Sequence, residues 1–345
     1  MKVLVLTTMV PFVWGGAEEL CDHLVRNLRL QRGVEAEAMR LPFTWDPAEG
    51  LVEEMLIARS LNIFNVDRLI PLKFPAYLAP HPNKVLWLLH QYRQAYDLFD
   101  AEQSNIGRDP RGDALRTMIR TADDHAFRDA RRIFTLSPTG ADRLRRYNGF
   151  PAEILPQPLN DPELFPGGEA EGYVLASGRV GLGKRQHLLV RAMRYAPGLR
   201  LVIAGPPDRP EDAEHLRRLA AGEGVEDRLT LDLRFLPRED LARLVNGATA
   251  VAYLPFDEDS VGYVTMEAFH AGKPVLTTTD AGGVLEIVRD GETGAVCEPT
   301  PEALGAALSA LVGTPGRAAR LGRDARALLD ARGITWPATV EKLLA

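Results

Sequence analysis

The chain has 345 residues, 46% hydrophobic and 26% charged, which is the profile of a globular protein with room for two domains and two cores. A net charge of −6 supplies no dominant phosphate-neutralising surface and argues against a nucleic-acid binder. The two cysteines, Cys21 and Cys297, make neither a disulfide framework nor a metal-spacing motif, and a reducing, cytoplasmic compartment suits them.

The opening "KVLVLTT" carries one Lys and no small-residue cleavage site, so it reads as a first buried strand rather than a signal segment. "PFVWGGAEEL" then sets Gly15 and Gly16 between strand and helix. Two readings stay open: a plain tight turn, or a loop without side chains whose amides reach a ligand. No Gly-x-Gly-x-x-Gly follows the strand, which weighs against an NAD enzyme. The helix that follows shows apolar Leu20, Leu24 and Leu28, with Gly33 as its expected stop.

"KVLWLLH" and "RIFTLS" are further buried strands. His90 ends the first of them, on the edge where parallel sheets bind ligands, so structural and functional roles are both open; no Ser-His-Asp arrangement accompanies it. The basic clusters "RDARRIF" and "DRLRRYNG" read as solvated helix faces. From Ile154 to Val174 the chain is rich in Pro, Gly and Glu without periodicity, as expected of a linker between two domains of similar size.

In the second half "GYVLASG", "LRLVIAG", "LTLDLRF", "TAVAYLP" and "KPVLTTT" read as strands, interleaved with helices such as "REDLARLVNGA" and "YVTMEAFHAG". Alternation of this kind predicts two parallel α/β domains, with a ligand at the carboxyl ends of the strands. No apolar run approaches the roughly 20 residues that span a bilayer, and contact with a membrane surface stays open.

Two stretches carry chemistry. "SGRVGLGKRQHLL" places glycines, Arg179 and Lys184 where a strand hands over to a helix, a phosphate site on physical grounds, with an ordinary glycine turn and solvated cations as the alternative. It spells most of a P-loop, but Arg185 stands where a Ser or Thr would coordinate magnesium. "DEDSVGYVTMEAFHAGKPV" holds Asp259 and Glu267 on either side of Gly262. The three-letter run Asp257-Glu258-Asp259 is weak evidence for a metal site in an acidic protein, with no His nearby to complete a shell. On one helix, eight residues would separate the two carboxylates by ~12 Å, beyond the roughly 5–9.5 Å of glycosidase pairs. With Gly262 breaking the segment, the two acceptors are expected to flank a helix N-terminus and its anion site, as suits a nucleotide sugar.

Taken together, "SGRVGLGK", "LVIAG", "LRFLPREDL", "MEAFHAGKPVLTT" and "AGGVLEIVRDGETGAVCEP" resemble, in order and spacing, the bacterial family 4 retaining glycosyltransferases (glycosyl transferases group 1). "PFVWGGAEE", "ILPQPLNDPELF" and "ITWPATVEKLLA" resemble that family's acceptor-side loop, interdomain strand and terminal helix, so the likeness covers almost the whole chain. The resemblance implies the GT-B fold, two Rossmann-like domains with parallel sheets facing a central cleft. It divides the chain into an acceptor-side domain over 1–158, a linker over 159–172, a donor domain over 173–325, and a helix over 326–345 returning to the first domain.

It also implies a nucleotide-sugar donor, an acceptor that is a carbohydrate, a lipid-linked molecule or a small molecule, and neither cofactor nor metal. Arg179 and Lys184 would hold the donor diphosphate, and Glu267 would accept from ribose hydroxyls. Gly262 and Tyr263 would offer amides, and Asp259 would bind donor-sugar hydroxyls. Gly15 and Gly16 would lie beneath the donor phosphate, and His90 would contact the transferred sugar. Three departures stand out: Asp259-x7-Glu267 replaces the usual Glu-x7-Glu, Val261 replaces a Phe, and Pro255-Phe256 replaces Pro-Ser. They bear on the donor sugar. A silent sugar-nucleotide-binding subunit, an epimerase and a phosphorylase are the alternatives on this fold.

Overall fold

The computed structural model describes residues 1–314 and 316–345. The chain divides into two compact units, Met1–Asn160 with Thr335–Ala345, and Asp161–Ile334.

In the first unit β1 (Lys2–Met9) is buried along most of its length, as a central parallel strand covered on both faces must be. It pairs in parallel with β2 (Glu35–Pro42) on one side and β3 (Arg68–Pro71) on the other. β4 (Val85–Leu88), β5 (Arg132–Thr135) and β6 (Glu153–Ile154) form a second parallel set. A parallel bridge between Leu69 and Lys84 and the bond from Leu89 N to Leu72 O (2.9 Å) join β3 to β4, which gives the order β2-β1-β3-β4-β5-β6.

The helix Gly16–Arg29 buries Leu20, Leu24 and Leu28, with Glu18 and Glu19 in its first turn and Arg26 and Arg29 in its last, matching the helix dipole. It ends at Arg29 rather than running to Gly33, whose φ of +77° belongs to the turn that follows. Helix Trp336–Leu344 completes this unit. Trp336 meets Trp87 edge-on at 6.3 Å, and Arg68 donates to the Leu343 carbonyl at 2.8 Å.

Of the basic clusters, Arg132 pairs with Glu153 near the surface, but Arg143 is buried beside Asp97 at 3.7 Å. The second cluster is therefore only partly a solvated face.

The second unit has one six-stranded parallel sheet in the order β12-β11-β10-β7-β8-β9. Its strands are β7 (Val174–Ser177), β8 (Leu201–Ala204), β9 (Leu229–Asp232), β10 (Ala250–Ala252), β11 (Val275–Thr278) and β12 (Gly294–Cys297). Counted from β7 this is the doubly wound Rossmann order, and its direction reverses between β7 and β10. Val174, Leu201, Ile203, Ala250 and Leu276 anchor the core, each fully buried.

The segment rich in Pro and Gly before β7 is bonded to this unit. Asn246 bridges the Leu164 carbonyl (2.8 Å) and the Gly167 amide (3.0 Å), and Lys273 Nζ donates to the Gly168 carbonyl at 2.8 Å. No helix among the described residues is long and apolar enough to cross a membrane.

Candidate functional site

At a switch point of a doubly wound sheet the connections leave in opposite directions and open a crevice at the strand ends. In the second unit β7 and β10 flank that crevice, so the loops after them define the site.

The loop after β7 begins at Gly178, φ +104°. It lies against the loop after β8 through Val180 N to Pro206 O (2.9 Å) and Asp208 N to Val180 O (2.8 Å). Gly205 makes that approach possible, because a Cβ there would stand 2.2 Å from the Gly178 oxygen. Gln186 spans the loop, donating to the Arg179 carbonyl at 2.9 Å and accepting from the Gly181 amide at 3.4 Å.

Arg185, at φ +55°, turns back under the loop. Its guanidinium reaches the Leu254 and Pro255 carbonyls, the Thr278 hydroxyl and both oxygens of Asp280 at 2.7–2.9 Å. Burial pushes the Asp280 carboxyl up, but bonding from Arg185 and Thr278 outweighs it and holds the group below its usual range. The residue that breaks the P-loop pattern thus clamps this loop to the ends of β10 and β11.

Clamped this way, the loop presents two cations. Arg179 pairs with Asp208 at 3.1 Å, both nearly half exposed, a contact of little energetic weight. Lys184 Nζ donates to Glu258 Oε2 at 2.9 Å and to Tyr253 OH at 3.2 Å, and lies over the Tyr253 ring. Burial disfavours the Lys184 charge, yet Tyr253 and Glu258 prevail and hold it protonated above the usual lysine range.

The acidic loop after β10 is zipped onto the loop after β11. Glu258 N donates to Ala281 O (3.2 Å) and Gly283 N to Glu258 O (2.7 Å), an approach that a Cβ at Gly282 would block at 2.5 Å. Asp259 lies in this loop, 7% exposed, and Gly262 (φ +74°) caps helix Tyr263–His270. The Tyr253 ring sits so close to Gly262 that a Cβ would fall 2.7 Å from Cε1, so one ring touches both Lys184 and the helix cap. Glu267, in the second turn, is paired with Arg238 from helix Arg238–Gly247. Ser177 Oγ and Thr265 Oγ1 are buried without a hydrogen-bond partner, as happens where water or a ligand completes the bonding.

The structure therefore gathers Arg179, Lys184, Asp259, Gly262, Tyr263 and Glu267 onto the elements around one switch point. Sequence reasoning missed Glu258, Tyr253 and Arg238. Each acts through a contact across 29 to 74 positions, which spacing in the chain does not reveal. Among the described residues no group of three or more His, Cys, Asp or Glu is placed to hold a metal ion.

Gly15, Gly16 and His90 belong to the first unit. Gly15 precedes helix Gly16–Arg29 in extended backbone, φ −161°, which any residue adopts. Beside it Lys73, just past β3, pairs with Glu18 in the first turn of the helix at 3.0 Å. This contact marks the first unit's own switch point, between β1 and β3. His90 lies two residues beyond β4, with Nδ1 2.7 Å from the Gln91 carbonyl, which takes the Nδ1 proton and leaves Nε2 as acceptor. Gln91 continues inward to Asn148, then Tyr96 (3.1 Å), then Asp123 (2.9 Å). Burial pushes the Asp123 carboxyl up to about 8, against lowering bonds from Tyr96 and Tyr77.

A Rossmann-type unit with a cationic loop, an acidic loop and a glycine-capped helix at its switch point has the make-up of a site for an anionic ligand. Residues 165–328 match the family described as glycosyl transferases group 1, and the chain carries a domain of that family. It is 37% identical over 185 residues to the D-inositol 3-phosphate glycosyltransferase of Nocardia farcinica, covering 50% of this chain and 40% of that one. To the enzyme of the same name from Actinosynnema mirum it is 33% identical over 251 residues, 65% of this chain and 58% of that one. The chain thus spans about half the length of the curated relatives it matches.

Among solved structures, sucrose-phosphate synthase from Thermosynechococcus elongatus superposes with a TM-score of 0.77 at 17% identity, covering 99% of this chain and 97% of that one. Anabaena HepE in complex with UDP-glucose gives 0.73 at 17% identity, covering 99% and 98%. These likenesses show the fold, GT-B.

Proposed function

We propose that this chain is a retaining glycosyltransferase that moves a sugar from a nucleoside-diphosphate donor to an acceptor hydroxyl, in glycan, polysaccharide or glycosylated-metabolite biosynthesis. The observation that carries this reading is Lys184, held charged at the β7/β10 switch point opposite the acidic loop and the cap of helix Tyr263–His270. A fixed cation beside a helix N-terminus suits a diphosphate. The complex of the structural neighbour HepE with UDP-glucose supports a donor of this kind.

In this reading Arg179 and Lys184 bind the diphosphate and stabilise the charge that develops on the departing phosphate. The amides at Gly262 and Tyr263 take further phosphate or sugar oxygens, Asp259 accepts from the donor sugar, and Glu267 accepts from the ribose. The donor displaces Glu258 from Lys184 as it binds. The first unit supplies the acceptor side, with Gly15, Gly16 and His90 as its own candidate contacts. The acceptor is a carbohydrate, a lipid-linked molecule or a small molecule, and the reaction needs neither a cofactor nor a metal. A cytoplasmic setting agrees with two unpaired cysteines.

Nucleotide release from UDP-, GDP-, ADP- and dTDP-sugars tests the proposal. One donor is expected to be turned over, and Lys184→Ala is expected to lower kcat by about 10²–10³ with little change in melting temperature. Normal turnover in that variant defeats the assignment. Binding without release, with every acceptor tried, would mark a silent subunit instead.

A further inference from the structure

Glu267 is 3% exposed. A carboxylate so deeply placed stays charged only where partners hold it. One partner is Arg238, the first residue of its helix, whose Nη1 donates to Glu267 Oε1. The opposite side of the guanidinium is also fixed. Its Cζ lies 4.7 Å from the centre of the Phe165 ring, which is itself fully buried. Phe165 is immobilised in turn, because Asn246 bonds the residues on either side of it, at Leu164 and Gly167. Ring, cation and carboxylate form a stack that leads from the segment before β7 to the second turn of helix Tyr263–His270.

We propose that Arg238 is a positioning residue for ribose recognition: by keeping Glu267 ionised and in one orientation, it sets a preference for a ribonucleoside diphosphate over its 2′-deoxy counterpart. The proposal rests on the donor reading of this site. A fixed buried acceptor gains a bond from the 2′-hydroxyl that the deoxy ligand cannot supply, which favours the ribonucleotide. With Arg238 removed, Glu267 takes up a proton more readily and loses its fixed aim, so it no longer distinguishes the two sugars.

The test is calorimetric titration of the full chain with UDP, GDP and ADP. The tightest binder is then compared with its 2′-deoxy form for wild type, Arg238→Ala, Arg238→Lys and Phe165→Leu. Wild type is expected to favour the ribonucleotide by about tenfold or more. In Arg238→Ala the ratio should shrink to within about threefold, almost wholly through weaker ribonucleotide binding, because the diphosphate contacts remain.

Arg238→Lys should recover part of the ratio, and Phe165→Leu should lose part of it with the ion pair intact. If Arg238→Ala does not fold, these two variants decide the question. Retention of the wild-type ratio in the variants, or an equal loss for both ligands, overturns the proposal. So does a wild-type chain that binds both forms equally, although the donor reading then survives. A wild-type chain that binds none of the three nucleotides overturns the proposal, and it overturns the donor reading as well when dTDP is not bound either.

Discussion

Arg185 shows how one side chain can redirect a motif. At a position where a nucleotide-binding loop would carry a hydroxyl, it spends its donors on Leu254, Pro255, Thr278 and Asp280. Arg179 and Lys184 are thereby the loop's remaining cations. Asp123 poses a different problem, a carboxyl fully buried among Tyr77, Tyr96 and Asp124 whose folded-state value of about 8 lies well above its ordinary 3.8. Between those values the folded chain binds a proton that the unfolded chain has released, so this group's contribution to stability falls as pH rises. Asp123→Asn is expected to remove that slope. Urea denaturation from pH 4 to pH 9 should show wild type losing ground to the variant through pH 4–8, and an unchanged difference across the series would refute the assignment.

The strands and loops of the site are set by close backbone approaches. Gly205→Ala introduces a Cβ 2.2 Å from the Gly178 oxygen at φ +137°, whereas Gly183 has open space around its Cβ position. The first substitution is expected to cost about 1–3 kcal/mol from backbone strain alone and more from the contact, as measured by chemical denaturation, with Gly183→Ala close to neutral. The elements that carry these loops were legible in the sequence. β7, β10 and helix Tyr263–His270 announce themselves by apolar runs that end in glycine or proline, so Arg179, Lys184 and Glu267 could be placed at strand ends or helix starts. Their partners were not legible. Glu258 reaches Lys184 because the acidic loop is registered against Gly282, and Arg238 reaches Glu267 because two helices pack side by side. Both contacts depend on three-dimensional registration rather than local pattern. β2 gives a weak signal for a related reason: as an edge strand in "EAEAMRLP" it needs few apolar residues.

For the molecule as a whole, the chain does not finish where its second unit does. Helix Trp336–Leu344 returns to the first unit and buries Trp336, Val340 and Leu343 there. Trp336→Ala is expected to destabilise the first unit by about 3–5 kcal/mol, seen in calorimetry as an earlier transition for that unit; coincidence with the wild-type trace would show the helix to be dispensable. The strand order of the second unit has a consequence in time. β7 pairs with β10 through Val174 and Ala250, residues 250 − 174 = 76 positions apart, and β8 and β9 must be accommodated between them in the chain. Closing so long a loop is slow relative to forming the local helices. The crevice between these strands therefore comes into being late on the folding route, and a nascent chain holds its cationic loop long before the acidic loop arrives to face it.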